Sequence, residues 1–535
     1  MVERQKRSAA GVALFFVLLM LIGLFTLKDY AAGYDELVQQ NSLRVNLKEY
    51  AVQLSKLGFR WQYGLDMPVP SLSEYVDRDY GLSPMYACLP FLGAMDESTH
   101  AVSSLVWSLV VWLWFMAGLW SLYAISRHLG LSRFLSCAAT LLLFLSPRFF
   151  AHAHYNDKDL VMLCLMLIDL WLGLRFLQKM TVPRALLFSF FGAMCTNLRI
   201  VGLMPWGFIG LSAIVLLSVR RQWSWRKAGL ALLTVVSFVA FYILLTPACW
   251  SNPGQYFRYL FSNSTAFSRW EGVLFFRGAE FHIPENTLPF YYLPYLMFVT
   301  LPLYTLPLAL IGGIGAVCEY RKQPRICLGR PEMLLLLAAS LCTLIPLALY
   351  VLMRPIVYNG WRHFYFACAG LLILGAYGIG TLWKLCHARP VLRRIYTVAL
   401  CLCFGLSAVG MAINHPYEAS YYNPLCSKGT METDYWNTGG ADALKRLAEC
   451  EERNPALPME VGCYFFDLQN ARFKLSDDLK AVLTTTTERD APYLYYIENY
   501  VQVYNVPEPE GYHALFHVYS YGRLIGTMYE INTDT

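Results

Sequence analysis

The chain has 535 residues, of which 56% are hydrophobic and 15% charged, and its mean hydropathy of +0.40 lies outside the balance of water-soluble domains. The net charge of +6 falls in Lys/Arg clusters between apolar segments, without a basic stripe interleaved with stacking aromatics, so it reports membrane topology and points away from a nucleic-acid partner. The 15 cysteines lie mostly inside apolar segments, with no C-x-x-C pair or zinc spacing, which argues against a disulfide framework or a structural metal; the lone Cys401/Cys403 pair reads as packing.

Met1 to Arg7 followed by the apolar stretch Ala9 to Leu27 imitates a signal peptide, but no small-residue cleavage site follows, so the stretch reads as a retained first span. Apolar runs of a length that crosses a hydrocarbon core, roughly 17 to 25 residues, lie at 9–28, 102–126, 133–147, 160–178, 184–200, 201–219, 228–248, 291–317, 332–353, 363–384 and 395–413. Eleven spans are therefore expected. With a cytoplasmic N-terminus the inner loops carry Arg127/Arg133, Arg175/Lys179/Arg184, Arg220/Arg221/Arg226/Lys227, Arg321/Lys322/Arg325/Arg330 and Lys384/Arg389/Arg393/Arg394, each basic as the positive-inside rule demands. The same parity puts the tail after Asn414 outside, with four polar segments.

The first of these segments opens on Gly33-Tyr34-Asp35-Glu36. Adjacent carboxylates at the edge of a bilayer are costly unless something uses them. The stretch 29–101 is too long for a connector, and the spacing of Glu49 to Leu57, with Trp61 and Tyr63, predicts helices lying in the interface. Asp77-Arg78-Asp79-Tyr80-Gly81 is a second acidic cluster, which a hydrated loop also accommodates without chemistry. Ser146 to Asp159 crowds His152, His154, Asp157, Lys158 and Asp159 at the start of the fourth span. A helix N-terminus favours one carboxylate through its dipole, but not the whole group. Arg199 sits at an outer span boundary, where snorkelling and an anion contact are both readings. The 249–290 loop, with Arg258, Arg269, Trp270, Glu271, Arg277 and His282, reads as a lid or substrate clamp, and Asn263-Ser-Thr265 is a glycosylation sequon of little weight. Arg354 to His363 returns Arg and His to the same face.

After Asn414 the composition turns polar for about 120 residues, the size of a small domain. Ala441 to Glu452 reads as a helix, Met459 to Phe466 and Pro492 to Ile497 as strands, and Ala514 to Tyr519 with Leu524 to Ile531 as a hairpin turning at Tyr521-Gly522. No nucleophile elbow, phosphate loop or metal quartet is present, which implies an accessory role. The expected fold is thus an all-α polytopic membrane domain, 1–413, with about 11 transmembrane helices and a small exoplasmic α/β or α+β domain, 414–535.

Outer-face carboxylates beside Arg and His at membrane depth suit transfer of a sugar from a lipid phosphate: a carboxylate takes the proton of an acceptor hydroxyl and cations hold the departing phosphate. A phosphate leaves with its charge, so the second carboxylate of a glycosidase is not needed. The same residues carry a resemblance. Asp35-Glu36, Ser146 to Asp159, Leu288-Pro-Phe-Tyr-Tyr-Leu-Pro294, Tyr358 to His363, His415-Pro-Tyr-Glu418 with Tyr421-Tyr-Asn423, and Asp434-Tyr-Trp436 are similar to marks of the GT-C membrane glycosyltransferases. They resemble especially the protein O-mannosyltransferase (family 39) and aminoarabinose-transferase group. The resemblance implies inverting transfer from a polyprenyl-phosphate sugar, with Asp35 as general base and Glu36 positioning it or binding acceptor. It implies that Asp157 or Asp159 orients a substrate and that Lys158, Arg199, Arg362 and His363 meet the lipid phosphate. His154, Arg269 and Arg277 join them as substrate-binding candidates. The chain lacks the β-trefoil of eukaryotic protein mannosyltransferases, so a protein acceptor has no support. Asp77-x-Asp79 and Asp157-x-Asp159 have the D-x-D form that oligosaccharyltransferases use for a metal, but relatives of the O-mannosyl type need none, and neither a metal nor a cofactor is expected.

Two rival readings are a transporter or lipid flippase, whose charges would line a path through the membrane, and a non-catalytic scaffold. Against the first, the charges gather on one face and no inverted repeat is evident; Asp169, in the fourth span, is the exception and reads as locally paired. The terminal Asn532-Thr-Asp-Thr535 carries no retention signal, and the prokaryotic character of the motifs favours a bacterial plasma membrane.

Overall fold

The computed structural model describes the chain except residues 1, 34, 79, 93–96, 266–269, 387, 434–435, 437–438, 464–467, 473, 487–492, 500–507 and 534–535. Among the described residues, eight helices are long and apolar enough to cross a membrane: Ala9–Thr26, Ala101–His128, Asp159–Gln178, Ile200–Val219, Trp225–Leu245, Pro331–Met353, Arg362–Cys386 and Pro390–Asn414. Each falls on an expected span, and the chain is an integral membrane protein.

The other three expected spans come out differently. Arg133–Phe144 has 12 residues and Val182–Leu198 has 17, shorter than the ~20 residues of a full crossing. The run 291–317 is two helices, Tyr292–Thr300 and Thr305–Lys322, bent by 110°. Pro302 causes the break: it offers no N–H and holds Leu301 extended, at φ −87° and ψ 149°. The carbonyls freed there are taken up by Asn423, whose Nδ2 donates to the Phe298 and Leu301 oxygens at 2.7 and 3.1 Å and whose N–H donates to Val299 O at 2.7 Å. Irregular backbone is tolerated at membrane depth when protein satisfies it in this way.

Asp159–Gln178 is the axis of the bundle, with 89% of its apolar window buried, whereas only 11% of Ala9–Thr26 is, so that helix lies on the outside. Asp169, on the axis, is fully buried and neither carboxylate oxygen has a hydrogen-bond partner, so the expected local pairing is absent. Helices Thr305–Lys322 and Cys368–Cys386 touch backbone to backbone. A Cβ on Gly312 would lie 1.9 Å from Leu374 O, and one on Gly378 would lie 2.0 Å from Leu308 O. Small residues at such crossings let van der Waals packing hold membrane helices together. Gly312→Ala is expected to cost about 1–3 kcal/mol through forced separation, read as a lower midpoint of thermal unfolding in detergent.

The predicted interfacial helix at Glu49 to Leu57 is the end of a longer one, Glu36–Lys56, that starts at the acidic pair. Its first half is polar yet buried, with Gln39, Gln40, Ser42 and Asn46 all under 7% exposed. Internal bonds make that burial tolerable: Gln40 Nε2 donates to Glu36 Oε1 at 3.1 Å, Asn46 Nδ2 to Ser42 O at 2.8 Å, and Ser42 Oγ meets Tyr75 OH at 2.7 Å.

The 249–290 stretch contains an unforeseen hairpin, β1 (Gly272–Phe276) and β2 (Ala279–Ile283), paired antiparallel. Its two-residue turn, Arg277-Gly278, has φ of 53° and 81°, the left-handed pair that matches strand twist. The hairpin docks on the segment after the last span: Gly278 N–H donates to Thr430 O at 3.0 Å and Phe275 N–H to Glu432 Oε1 at 3.2 Å.

The C-terminal residues form a five-stranded sheet from β3 (Met459–Gly462), β4 (Leu483–Thr486), β5 (Tyr495–Asn499), β6 (Tyr512–Ser520) and β7 (Arg523–Ile531), in the order β4-β3-β5-β7-β6. The first two pairings are parallel and the last two antiparallel. Helix Gly440–Glu449 covers it with Ala441, Ala443, Leu444 and Leu447. The expected hairpin turns at Tyr521 (φ 50°) and Gly522 (φ 70°), and β4 was not foreseen. Arg523 ties the hairpin to the bundle, donating to Ser427 O and Cys426 O at 2.7 and 2.6 Å.

Candidate active site

Asp35 occupies the N-cap of helix Glu36–Lys56 without a side-chain capping bond, so its carboxylate is left for other partners. The helix dipole favours a negative charge there. The neighbouring Glu36 turns the other way. It is 2% exposed, held by Gln40, with Lys474 as its cationic neighbour. Burial pushes its carboxyl up to about 6 against the pull of Lys474. The acidic pair is therefore split, with one member facing outward and one packed beneath the loop.

The 146–159 segment begins with helix Pro147–His152 and ends on an Asn-based cap. Asn156 Oδ1 accepts from the backbone N–H of Asp159 at 2.7 Å and of Lys158 at 3.3 Å, while Nδ2 reaches His152 Nδ1 at 2.8 Å and Asp159 Oδ2 at 3.4 Å. Such Asx geometry satisfies the first free N–H groups of a helix. It fixes Asp159 at the start of the axial helix, pointing its carboxylate at two guanidiniums. Arg199 Nη2 bonds Asp159 Oδ1, and Arg362 Nη1 lies 3.6 Å from Asp159 Oδ2. The same Arg362 nitrogen is 3.2 Å from Asp35 Oδ2. Arg362 thus links the first outer loop to the axial helix. Of these ion-paired acids, Asp35 keeps 35% of its side chain exposed and Asp159 only 1%.

Aromatic rings wall the charges. The Arg362 guanidinium lies 4.7 Å from the Trp436 ring and 5.5 Å from Tyr358, Lys158 Nζ lies 4.2 Å from Tyr80, and Trp270 stacks on Tyr358 at 4.7 Å and 2°. Cations over ring faces are stabilised where water is scarce. Burial lowers the Lys158 ammonium from its usual value, with Asp157, Asp35 and Asp77 opposing. Beside Arg362 a small cavity of about 30 Å³ is lined by Arg148, His152, Asn359, Tyr365, Glu432 and Trp436. Two donors of that lining, Arg148 Nη2 and Asn359 Nδ2, are buried without a partner.

The structure brings together Asp35, Asp157, Lys158, Asp159, Arg199, Arg362 and His363, whose ring packs on Tyr358 at 4.6 Å. It does not bring the others. His154 is a buried packing histidine: its ring stacks on Tyr30 at 4.4 Å, with Nε2 on Thr26 Oγ1 and Nδ1 on Phe150 O, each at 2.9 Å. Burial holds its ring down to about 3, hence neutral, which suits no phosphate. Arg277 is exposed on the β1–β2 turn over Tyr291 and Tyr295, away from the carboxylates. Arg269, Asp79, Asp434 and Tyr435 lie outside the described residues. Arg148, Asn156, Tyr358 and Asn359 fall in motif stretches of the sequence but were not singled out as site residues, and Glu432 falls in none; Asn156, three residues before a helical carboxylate, had the clearest local signal. Among the described residues no group of three His, Cys, Asp or Glu could hold a metal ion.

Asp157 is 5% exposed and its Oδ2 has no hydrogen-bond partner. Burial pushes its carboxyl up to about 7, Lys158 pulling it down and Asp35 and Glu36 pushing it further. A carboxyl raised in the folded state stabilises while protonated and loses that contribution as pH climbs from about 4 towards 7. Asp157→Asn should therefore match wild-type stability near pH 4 and exceed it above pH 7, by roughly 4 kcal/mol at most. Thermal unfolding across pH checks this; a constant difference at every pH would contradict it.

No family model and no curated protein matches the sequence. Among solved structures, the chain is similar to the crystal structure of ArnT from Cupriavidus metallidurans bound to undecaprenyl phosphate, with 13% identity and a TM-score of 0.43 over 97% of this chain and 98% of that one.

Proposed function

We propose that the chain is a membrane glycosyltransferase that moves a sugar from a polyprenyl-phosphate donor to an acceptor hydroxyl at the outer face, with inversion at the anomeric carbon. The observation that carries this reading is the Asp35–Arg362–Asp159–Arg199 chain of charges at one end of the bundle: an accessible carboxylate beside fixed cations. In the reaction the acceptor oxygen attacks the anomeric carbon, its proton passes to Asp35, and the bond to phosphate oxygen breaks with its electron pair on the phosphate. Arg362 and Lys158 hold the growing phosphate charge, as preorganised cations in a dry site do. Asp159, clamped by Arg199, keeps Arg362 in place, and His363 lines the phosphate side. Trp436, Tyr358 and Trp270 supply flat apolar surface for sugar faces.

The outer-face reading is supported by the basic loops, which gather at the other end. There Arg184 Nη1 donates to Arg175 O at 2.6 Å, Gln178 reaches His128 and Glu332 at 3.1 and 2.8 Å, and Arg220 Nε donates to Gly329 O at 2.9 Å. Under the positive-inside rule these loops support a cytoplasmic end there and an exoplasmic site, which in a bacterium would be the outer side of the plasma membrane. A transport reading draws on one observation, the unpaired Asp169 in the axial helix.

The test is turnover of radiolabelled polyprenyl-phosphate sugars by purified protein in liposomes, with membrane extract as acceptor source, beside a flux assay in the same vesicles. Release of polyprenyl phosphate is expected without net flux of the intact donor. Flux without release, abolished by Asp169→Asn, would establish the transporter instead.

A further inference from the structure

We propose that the C-terminal domain belongs to the catalytic unit, with Lys474 as a positioning residue that reaches in from it to hold Glu36 and the loop presenting Asp35. This proposal departs from the accessory role expected from the sequence. Lys474 follows the short helix Gln469–Arg472, is 7% exposed, and donates from Nζ to Ser108 Oγ on helix Glu97–His128 at 2.8 Å. Glu36 is its carboxylate neighbour. A lysine is almost never buried unless a charge compensates it, and here the compensating acid comes from the opposite end of the sequence.

A second grip comes from the same turn. Asn470 accepts from Ala32 N–H through its backbone oxygen and donates from Nδ2 to Gly33 O, each at 3.3 Å. Gly33 O in turn accepts from Glu36 N–H at 2.9 Å. Ala31 completes the contact, packed into the apolar core that Ala441, Leu444, Val461 and Leu483 build under the sheet. Residues 31 to 33 and Glu36 are therefore bound from one side by the C-terminal domain, and Asp35 is carried between them. From the bundle side the loop is held by Arg362 on Asp35 at 3.2 Å and by Tyr30, whose hydroxyl donates to Glu418 Oε2 at 2.6 Å.

The inference rests on Asp35 as the base of the proposed reaction. Around Glu36 the facing groups are Lys474 from the C-terminal domain, Ser104 from the second span, Gln40 on its own helix, Gly33 N–H at the loop, and the more distant Cys88 and Asp157. Lys474 also faces His154, which burial keeps neutral. Burial lowers Lys474 to about 8, Glu36 opposing, and Lys474 in turn lowers Glu36. Removing the ammonium leaves Glu36 harder to ionise.

The experiment compares Lys474→Met, Lys474→Arg and Asn470→Ala in the full chain, purified in detergent, by rate against pH and by donor KM. Lys474→Met is expected to lower kcat about 10- to 100-fold with donor KM within about threefold, and to move the acid limb of the kcat profile upward by about one pH unit. Lys474→Arg should recover most of the rate, and Asn470→Ala should lower kcat severalfold. Wild-type kcat and acid limb in Lys474→Met, with Asp35→Asn inactive, would overturn this inference and leave the proposed function standing. Full activity of Asp35→Asn would instead remove the premise. Should Lys474→Met fail to fold, Asn470→Ala and Ser108→Ala decide: wild-type kcat in both overturns the inference, and a loss in both at unchanged thermal stability supports it.

Discussion

Asp35→Asn is expected to lower release of polyprenyl phosphate by about 10³-fold while the protein folds normally, the size of effect a positioned base contributes. The substitution is isosteric and its amide oxygen still accepts from Arg362, so the 3.2 Å contact survives. Only the capacity to take a proton is lost. Because the side chain is 35% exposed, its neutral form leaves no buried charge behind and the change in stability should stay within about 1 kcal/mol. The neighbouring acids predict a different pattern. Glu36→Gln acts beneath the loop and should cost less rate than Asp35→Asn, since Glu36 is buried and bonded to Gln40, with Lys474 as its cationic neighbour, rather than paired with Arg362. Asp157, raised to about 7 by burial, has the protonation range of a base near neutral pH but no exposed path to an acceptor. Measured donor turnover separates them. A rate within tenfold of wild type in Asp35→Asn, with Asp157→Asn inactive, would transfer the base to Asp157.

The parts of this arrangement that were readable in the sequence share a cause. Apolar length and basic loops are one-dimensional signals, so helix positions and the gathering of 33–36, 146–159, 199 and 354–363 at one end followed directly from them. The bend at Pro302 was equally local, but a hydropathy window averages over one residue, and the two half-helices merged into one span. The split of Asp35 from Glu36 was illegible for a different reason. Asp35 meets Arg362 and Glu36 lies buried near Lys474, partners more than 320 and 430 positions along the chain that no local pattern announces. His154 misled because a histidine beside Asp157 and Asp159 looks like a ligand, whereas Tyr30, Thr26 and Trp112 claim it for packing. Arg148 and Asn359 lie inside motif stretches without being singled out there. They matter because the turn at Asn359-Gly360, with φ of 55° and 72°, is held by Glu432 Oε2 accepting from Gly360 N–H at 3.1 Å, a contact between distant segments.

Arg362→Lys is the second substitution with a large expected effect, about 10²-fold in kcat, and it tests the electrostatic half of the mechanism. A guanidinium presents several donors in a fixed fork, and here one nitrogen meets Asp35 at 3.2 Å and Asp159 at 3.6 Å while the plane rests on Trp436 and Tyr358. An ammonium keeps the charge but has neither the planar fork nor a flat face to lay on the two rings, so its nitrogen is not held at the same place. Phosphate stabilisation should therefore fall more than donor binding, so kcat drops with donor KM within about fivefold. Arg362→Met is a harsher change, because it leaves Asp159 with Arg199 alone in a buried setting, where breaking a pair costs about 3–5 kcal/mol. The two variants divide the roles of the residue. If Lys restores stability but not rate, Arg362 acts on the transferring phosphate; if Lys restores both, its contribution is the charge that ties Asp35 to the axial helix. Guanidinium ion added to Arg362→Met supplies the third reading, since recovery of rate in the folded protein requires an empty place beside Asp35 that fits that cation.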